Sequence, residues 1–171
     1  MGRYLGVLYL LLTCSFPALV HADEADLVKD LMFFPGKSRQ FNIDGISYES
    51  RDAGYYAFKN GRALFLFPYQ GMVVGLSGEE DRSEGSSRYV LVLDRITFGD
   101  RDGSTTRIAA RGKCLIDFRE GGDSFSWLRC LATSTDHVVT IDLQGDEKPI
   151  TLVMHNGELV EQSENPGFQP L

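Results

Sequence analysis

TTRIAARGKCLIDFREGGDSFSWLRCLAT, residues 105–133, holds two alternating runs around a glycine-rich turn, with one cysteine in each run. In the first run Thr106, Ile108, Ala110, Gly112, Cys114, Ile116 and Phe118 take the even positions, while Thr105, Arg107, Arg111, Lys113 and Asp117 fall among the odd ones. Alternation at period two is the pattern of a strand with one buried face. A turn centred on Gly122 places Ile116 opposite Leu128 and Cys114 opposite Cys130. Opposed strand residues bring their Cα atoms close to the roughly 4.4–6.8 Å that a disulfide requires. The stretch therefore predicts a β-hairpin stapled by Cys114 and Cys130. In the same register Phe125, Trp127, Arg129 and Leu131 point away from the disulfide, with Trp127 opposite Asp117 and Arg129 opposite Leu115.

Outward from this hairpin the chain reads as short strands between strong turns. Asp44-Gly45 joins 39–43 to 46–49 through a two-residue turn, with Ile43 opposite Ile46 and Phe41 opposite Tyr48. Asn60-Gly61 joins 54–59 to 62–67 in the same way, which sets Tyr56 opposite Phe65. Residues 68–71 turn the chain into 72–76, a polar loop over 77–87 leads to a long strand 88–98, and 138–143, 150–155 and 158–160 follow the hairpin. Tight turns allow only antiparallel neighbours, because parallel ones need long crossovers. The fold class is mainly β, an antiparallel meander forming a barrel-like or two-sheet roll. Strand 62–67 is apolar on both faces, which requires cover on each side. One short N-terminal helix is expected between Asp23 as cap and Pro35-Gly36 as stop, with Leu27, Val28, Leu31 and Met32 as its apolar stripe.

The chain begins with Arg3, an apolar run over 4–12 and Val20-His21-Ala22, the pattern of a secretory signal peptide over residues 1–22. The apolar run is short for a membrane span, so no transmembrane segment is expected. A single β-rich domain over 23–162 and a flexible C-terminal tail over 163–171 complete the organisation. Of 171 residues, 17 are basic and 24 acidic; taking off residues 1–22, with Arg3 as their one charge, leaves 149 residues with 16 basic side chains and a net charge of −8. Such a surface disfavours nucleic acid as a partner. Loss of Cys14 with the signal leaves two cysteines, an even count that suits a periplasmic or secreted location.

Chemistry-bearing patterns are sparse. The acidic run 78–85 lacks the alternating ligands and glycine of a calcium loop and reads as a solvated loop. Asp100-Arg101-Asp102-Gly103 opens like such a loop, but Thr105 and Arg111 stand where its glycine and bidentate glutamate belong, so it reads as a turn. Ser77 lacks the glycine spacing of a nucleophile elbow, and only His137 and His155 remain as bases or imidazole ligands. No catalytic residue, metal site or cofactor is expected. The aromatic cluster suggests core for Phe58, Phe65 and Phe67, and leaves Tyr55 and Tyr69 as candidates to line a barrel mouth. Trp127, Arg129 and Leu131 form the other candidate, because Trp and Arg dominate binding hot spots. The expectation is an exported, non-enzymatic β protein that binds a protein or small-molecule ligand in the envelope or outside the cell. Its rivals are an acidic inhibitor of a cationic secreted hydrolase and a hydrolase built on two carboxylates.

Overall fold

The computed structural model of the chain describes residues 28–83 and 87–160. Its strands are β1 (Val28–Ile43), β2 (Ile46–Ser47), β3 (Asp52–Phe58), β4 (Ala63–Tyr69), β5 (Met72–Gly78) and β6 (Glu80–Ser83), then β7 (Arg88–Gly99), β8 (Thr105–Phe118), β9 (Phe125–Thr133), β10 (Val138–Gly145), β11 (Thr151–His155) and β12 (Glu158–Leu159). Eight of them close into an antiparallel barrel, running β1-β3-β4-β5-β7-β8-β9-β10 and back to β1. The closing ladder pairs Gly36 with Gly145 through to Ile43 with Val139. Closure removes the open edges that a sandwich of two sheets would keep. β1 is long enough to serve two neighbours on one side, with β10 along its second half and β11 along Leu31–Phe33.

Inward side chains fill the barrel. At one end the Phe34 ring meets Tyr55, Phe65, Phe118 and Phe125 at centroid distances of 6.3, 6.1, 6.4 and 5.4 Å, mostly edge to face. At the other, Phe41 meets Tyr48, Phe67 and Tyr69 at 5.9, 6.4 and 5.4 Å. Such geometries suit the ring quadrupoles, and each buried ring contributes about 1.5–3 kcal/mol through its area alone. Between them Leu76, Leu91, Ile96, Ile116, Leu128, Ile141 and Leu143 are fully buried. An eight-stranded barrel has room either for side chains or for one small ligand. Here side chains occupy it.

The stapled hairpin has the predicted register, with Ile116 opposite Leu128, Cys114 opposite Cys130 and Asp117 opposite Trp127. The two cysteine Cα atoms are 4.1 Å apart and the sulfurs 2.05 Å, bonding distance. Asp44-Gly45 is the two-residue turn read from the sequence. Both residues have positive φ, Ile43 pairs with Ile46, and the Tyr48 amide donates to the Phe41 carbonyl.

Four expectations need correction. The helix stripe at Val28, Leu31 and Met32 belongs to strand β1, whose inward positions include Asp30, Met32 and Phe34. The aspartate at the first of these positions hides the period of two, and pairing with β3 and β11 overrides local helix propensity. Residues 23–27, with the proposed cap, lie outside the described residues, as do the signal sequence and the tail. The turn at Asn60-Gly61 is a three-residue loop, because only Gly61 takes positive φ and the Phe58 amide donates to Arg62 O at 2.8 Å. This is the hairpin loop that ends in a left-handed glycine. It slips the ladder by one residue, so Phe65 faces Tyr55 while Tyr56 faces Leu64. Tyr56 and Phe58 are consequently on the outer face, half-buried and stacked at 6.5 Å, so Phe58 is not core. A bulge after Asp117 sets Phe125 opposite Phe118 and turns it inward, fully buried, away from the Trp127 side. Finally, Glu80–Ser83 of the acidic run is strand β6, paired with β7 from Val92 to Tyr89.

Candidate functional site

The candidate residues separate into interior and exterior. Tyr55 and Tyr69 are both in the core. Tyr55 meets Tyr89, hydroxyl to hydroxyl, at 2.7 Å, and Tyr69 packs on Phe41 and Tyr48, where burial raises its phenol above the ordinary value. Neither lines an open mouth. Trp127, Arg129 and Leu131 share the outer face of β9. Successive cross-strand partners extend that face into a surface on which Arg88, Asp117, Trp127, Gln144 and Lys37 form one row. Val90, Leu115, Arg129, Asp142 and Gln40 form the next, followed by Val92, Lys113, Leu131, Thr140 and Asn42.

Two cations hold Trp127. The Arg129 guanidinium carbon is 4.5 Å from its ring centroid and that of Arg88 is 5.8 Å away. Each arginine is oriented by a carboxylate across the strand: Arg88 donates to Asp117 at 2.8 and 3.2 Å, and Arg129 donates to Asp142 at 3.1 Å. Arg39 Nε donates to the Gln144 side chain at 2.6 Å, in the Trp127 row. Contacts of this kind are worth about 0.5–1 kcal/mol each at an exposed site, enough to restrict rotamers before a partner arrives. Leu131 is 51% exposed, and the Arg129 side chain is 53% exposed. Lys113, Leu115, Arg129, Leu131, Thr140 and Asp142 border a shallow groove of about 230 Å³ that crosses the strands. A groove of this size is below the roughly 300–1,000 Å³ of small-molecule pockets and suits one or two side chains.

Compared with protein families, with curated proteins and with solved structures, the chain matches none. The site is therefore read from its own chemistry.

Both described histidines, His137 and His155, are tied to carboxylates. His137 Nδ1 is 2.7 Å from Asp44, whose other oxygen accepts the Val138 amide at 2.8 Å; the two bonds join the β1–β2 turn to the start of β10. The His137 bond is the largest cause holding Asp44 below the ordinary value. His155 Nδ1 is 2.9 Å from buried Asp30, which also accepts the Asn156 amide at 3.2 Å and so fastens the β11–β12 turn to β1. The acidic run contributes Glu79, which joins Asp94 in receiving Arg62, at 2.6 Å and at 2.7 and 3.0 Å. Asp100-Arg101-Asp102-Gly103 is a turn closed by Gly103 N to Asp100 O at 3.0 Å.

One carboxylate pair shows opposed shifts, the pattern that an acid and base need. Burial at its base and the nearby Asp146 raise Asp52, while the Lys148 ammonium at 2.7 Å lowers Asp146. Both residues reach solvent, and water screens them. Among the described residues no three His, Cys, Asp or Glu side chains gather as metal ligands. Sequence reading alone did not single out Lys113 and Leu115. Their signal was there in the hairpin register, which sets Lys113 beside Leu131 and Leu115 beside Arg129.

Proposed function

We propose that this protein is an exported, non-enzymatic binding module, periplasmic or secreted, that presents Trp127, Arg129 and Leu131 to a partner. The observation that carries the reading is the position of these three side chains on the outer face of a barrel whose interior is filled. A packed barrel is a rigid scaffold, and a half-buried Trp held by two arginines is a pre-organised anchor, the kind of residue on which binding energy concentrates. The outer surface of β7 to β10 carries Arg88, Lys113, Asp117, Arg129 and Asp142 while the core is apolar. That is the reverse of a lipid-facing barrel wall. Export rests on residues 1–22, and the Cys114–Cys130 pair is in keeping with it.

The test is affinity capture with the tagged exported protein on its own envelope or culture fraction, comparing the wild type with Trp127→Ala and Arg129→Ala. The reading expects a specific partner that both variants lose while their melting temperatures stay near wild type. Equal capture by all three proteins would sink it.

A further inference from the structure

The Trp127 face is the basic part of an acidic molecule. In the three outer rows that cross β7 to β10 and β1 stand four cations, Lys37, Arg88, Lys113 and Arg129, with Arg39 and Arg111 beside them, against two carboxylates, Asp117 and Asp142. Both carboxylates are engaged by Arg88 and Arg129. Among the described residues no carboxylate lies in ion-pair contact with Lys37, Arg39, Arg111 or Lys113, in a chain whose formal net charge is −7. Grouping unpaired cations on one face is costly unless an anion screens them, and it makes that face complementary to negative charge.

The groove adds the second half of the requirement. Its lining alternates aliphatic and cationic side chains, Leu115 beside Arg129 and Leu131 beside Lys113, with Asp142 held by Arg129. Arg129 covers the Trp127 ring at 4.5 Å, which occupies a face on which a sugar would stack. Leucines alternating with cations fit an apolar side chain flanked by carboxylates, which is protein chemistry rather than glycan chemistry. The ladders from β7 through β10 to β1 are closed, so the occupant is held by side chains and not by strand addition.

We infer that this groove binds an acidic protein segment, with an apolar side chain on Leu115 and Leu131 and carboxylates against Lys113 and the neighbouring cations. The inference rests on the outer-face reading above and adds the chemistry of the partner. It is tested by fluorescence anisotropy on the full exported chain with three labelled synthetic peptides of equal length: alternating Glu and Leu, alternating Glu and Ser, and alternating Lys and Leu. A sulfated glycan serves as a fourth probe. The Glu–Leu peptide should bind best, the Lys–Leu peptide should not bind, and added salt should weaken the complex. Lys113→Glu should weaken it about tenfold through reversed charge. Leu131→Ser should remove the advantage of Glu–Leu over Glu–Ser, and circular dichroism should show both variants folded.

Equal binding of acidic and basic peptides overturns the inference, and so does a glycan that binds more tightly than the Glu–Leu peptide. If no probe binds while Trp127→Ala still abolishes capture from the envelope fraction, the binding face stands and the acidic partner falls. If no probe binds and capture is unchanged, both fall.

Discussion

At the scale of single residues, Trp127 is held at the surface by contacts that are individually weak. Its removal leaves the interior untouched, because Leu128 and Cys130 point inward from the same strand. Trp127→Ala is therefore expected to cost well under the roughly 3–5 kcal/mol of a buried Trp and to affect binding more than stability. Thermal unfolding beside the capture experiment checks this, and a loss in the buried range would assign Trp127 to the core. Asp44 offers a pH test. Its folded value lies below the ordinary carboxylate value, held there by the His137 bond and the Val138 amide. A carboxyl with a depressed folded value gives stability that is fully present above its unfolded value and is lost as pH falls through the folded one. Unfolding free energy should thus decline below about pH 4, and Asp44→Asn should flatten part of that decline. Exposure of the pair keeps the effect small. An unchanged acid limb in the variant would remove Asp44 from the account.

At the scale of elements, the hairpin β8–β9 is closed by the pair Cys114 and Cys130, 16 residues apart and both buried. A loop of that length is worth roughly 3 kcal/mol in the chain-entropy description, less what the hairpin retains in the unfolded ensemble. The double change to alanine should lower the unfolding free energy by about 2–3 kcal/mol and leave binding intact below the new melting point. Free thiols titrated in the native protein would show that the sulfurs are not joined. The same hairpin explains Gly112. A Cβ there would overlap the Leu131 carbonyl, and φ is +157°, so Gly112→Ala forces two strands apart. An overpacked strand contact costs about 1–3 kcal/mol, which chemical denaturation would register.

At the scale of the whole molecule, closure depends on how near β1 and β10 can come. Gly36 and Gly145 face each other at the start of that ladder, and a Cβ on Gly36 would overlap the Gln144 carbonyl of β10. Gly36→Ala should accordingly loosen the seam itself. Hydrogen exchange should speed up first in the amides of β1 and β10, before those of β8 and β9. Uniform protection would mean that the seam is no weaker than the hairpins.

The alternation in residues 105–133 and the Asp44-Gly45 turn were enough to set strands, register and cysteine pairing from the sequence, because both are local patterns whose partners lie a few residues away. The outward direction of Trp127, Arg129 and Leu131 followed from the same count. What the sequence left open was decided by contacts between distant residues. The choice of barrel over sandwich hangs on β1 meeting β10 across about a hundred residues, and no period within either strand encodes that meeting. Strand β1 looked helical because Asp30, at an inward position, meets His155 only in the folded chain. Tyr55 rather than Tyr56 turned inward because one loop residue shifted the ladder, and a shift of one exchanges the two faces of a strand. The basic groove likewise exists only when β8, β9 and β10 lie side by side. Net charge is a property of the sequence, but where charges collect is a property of the fold.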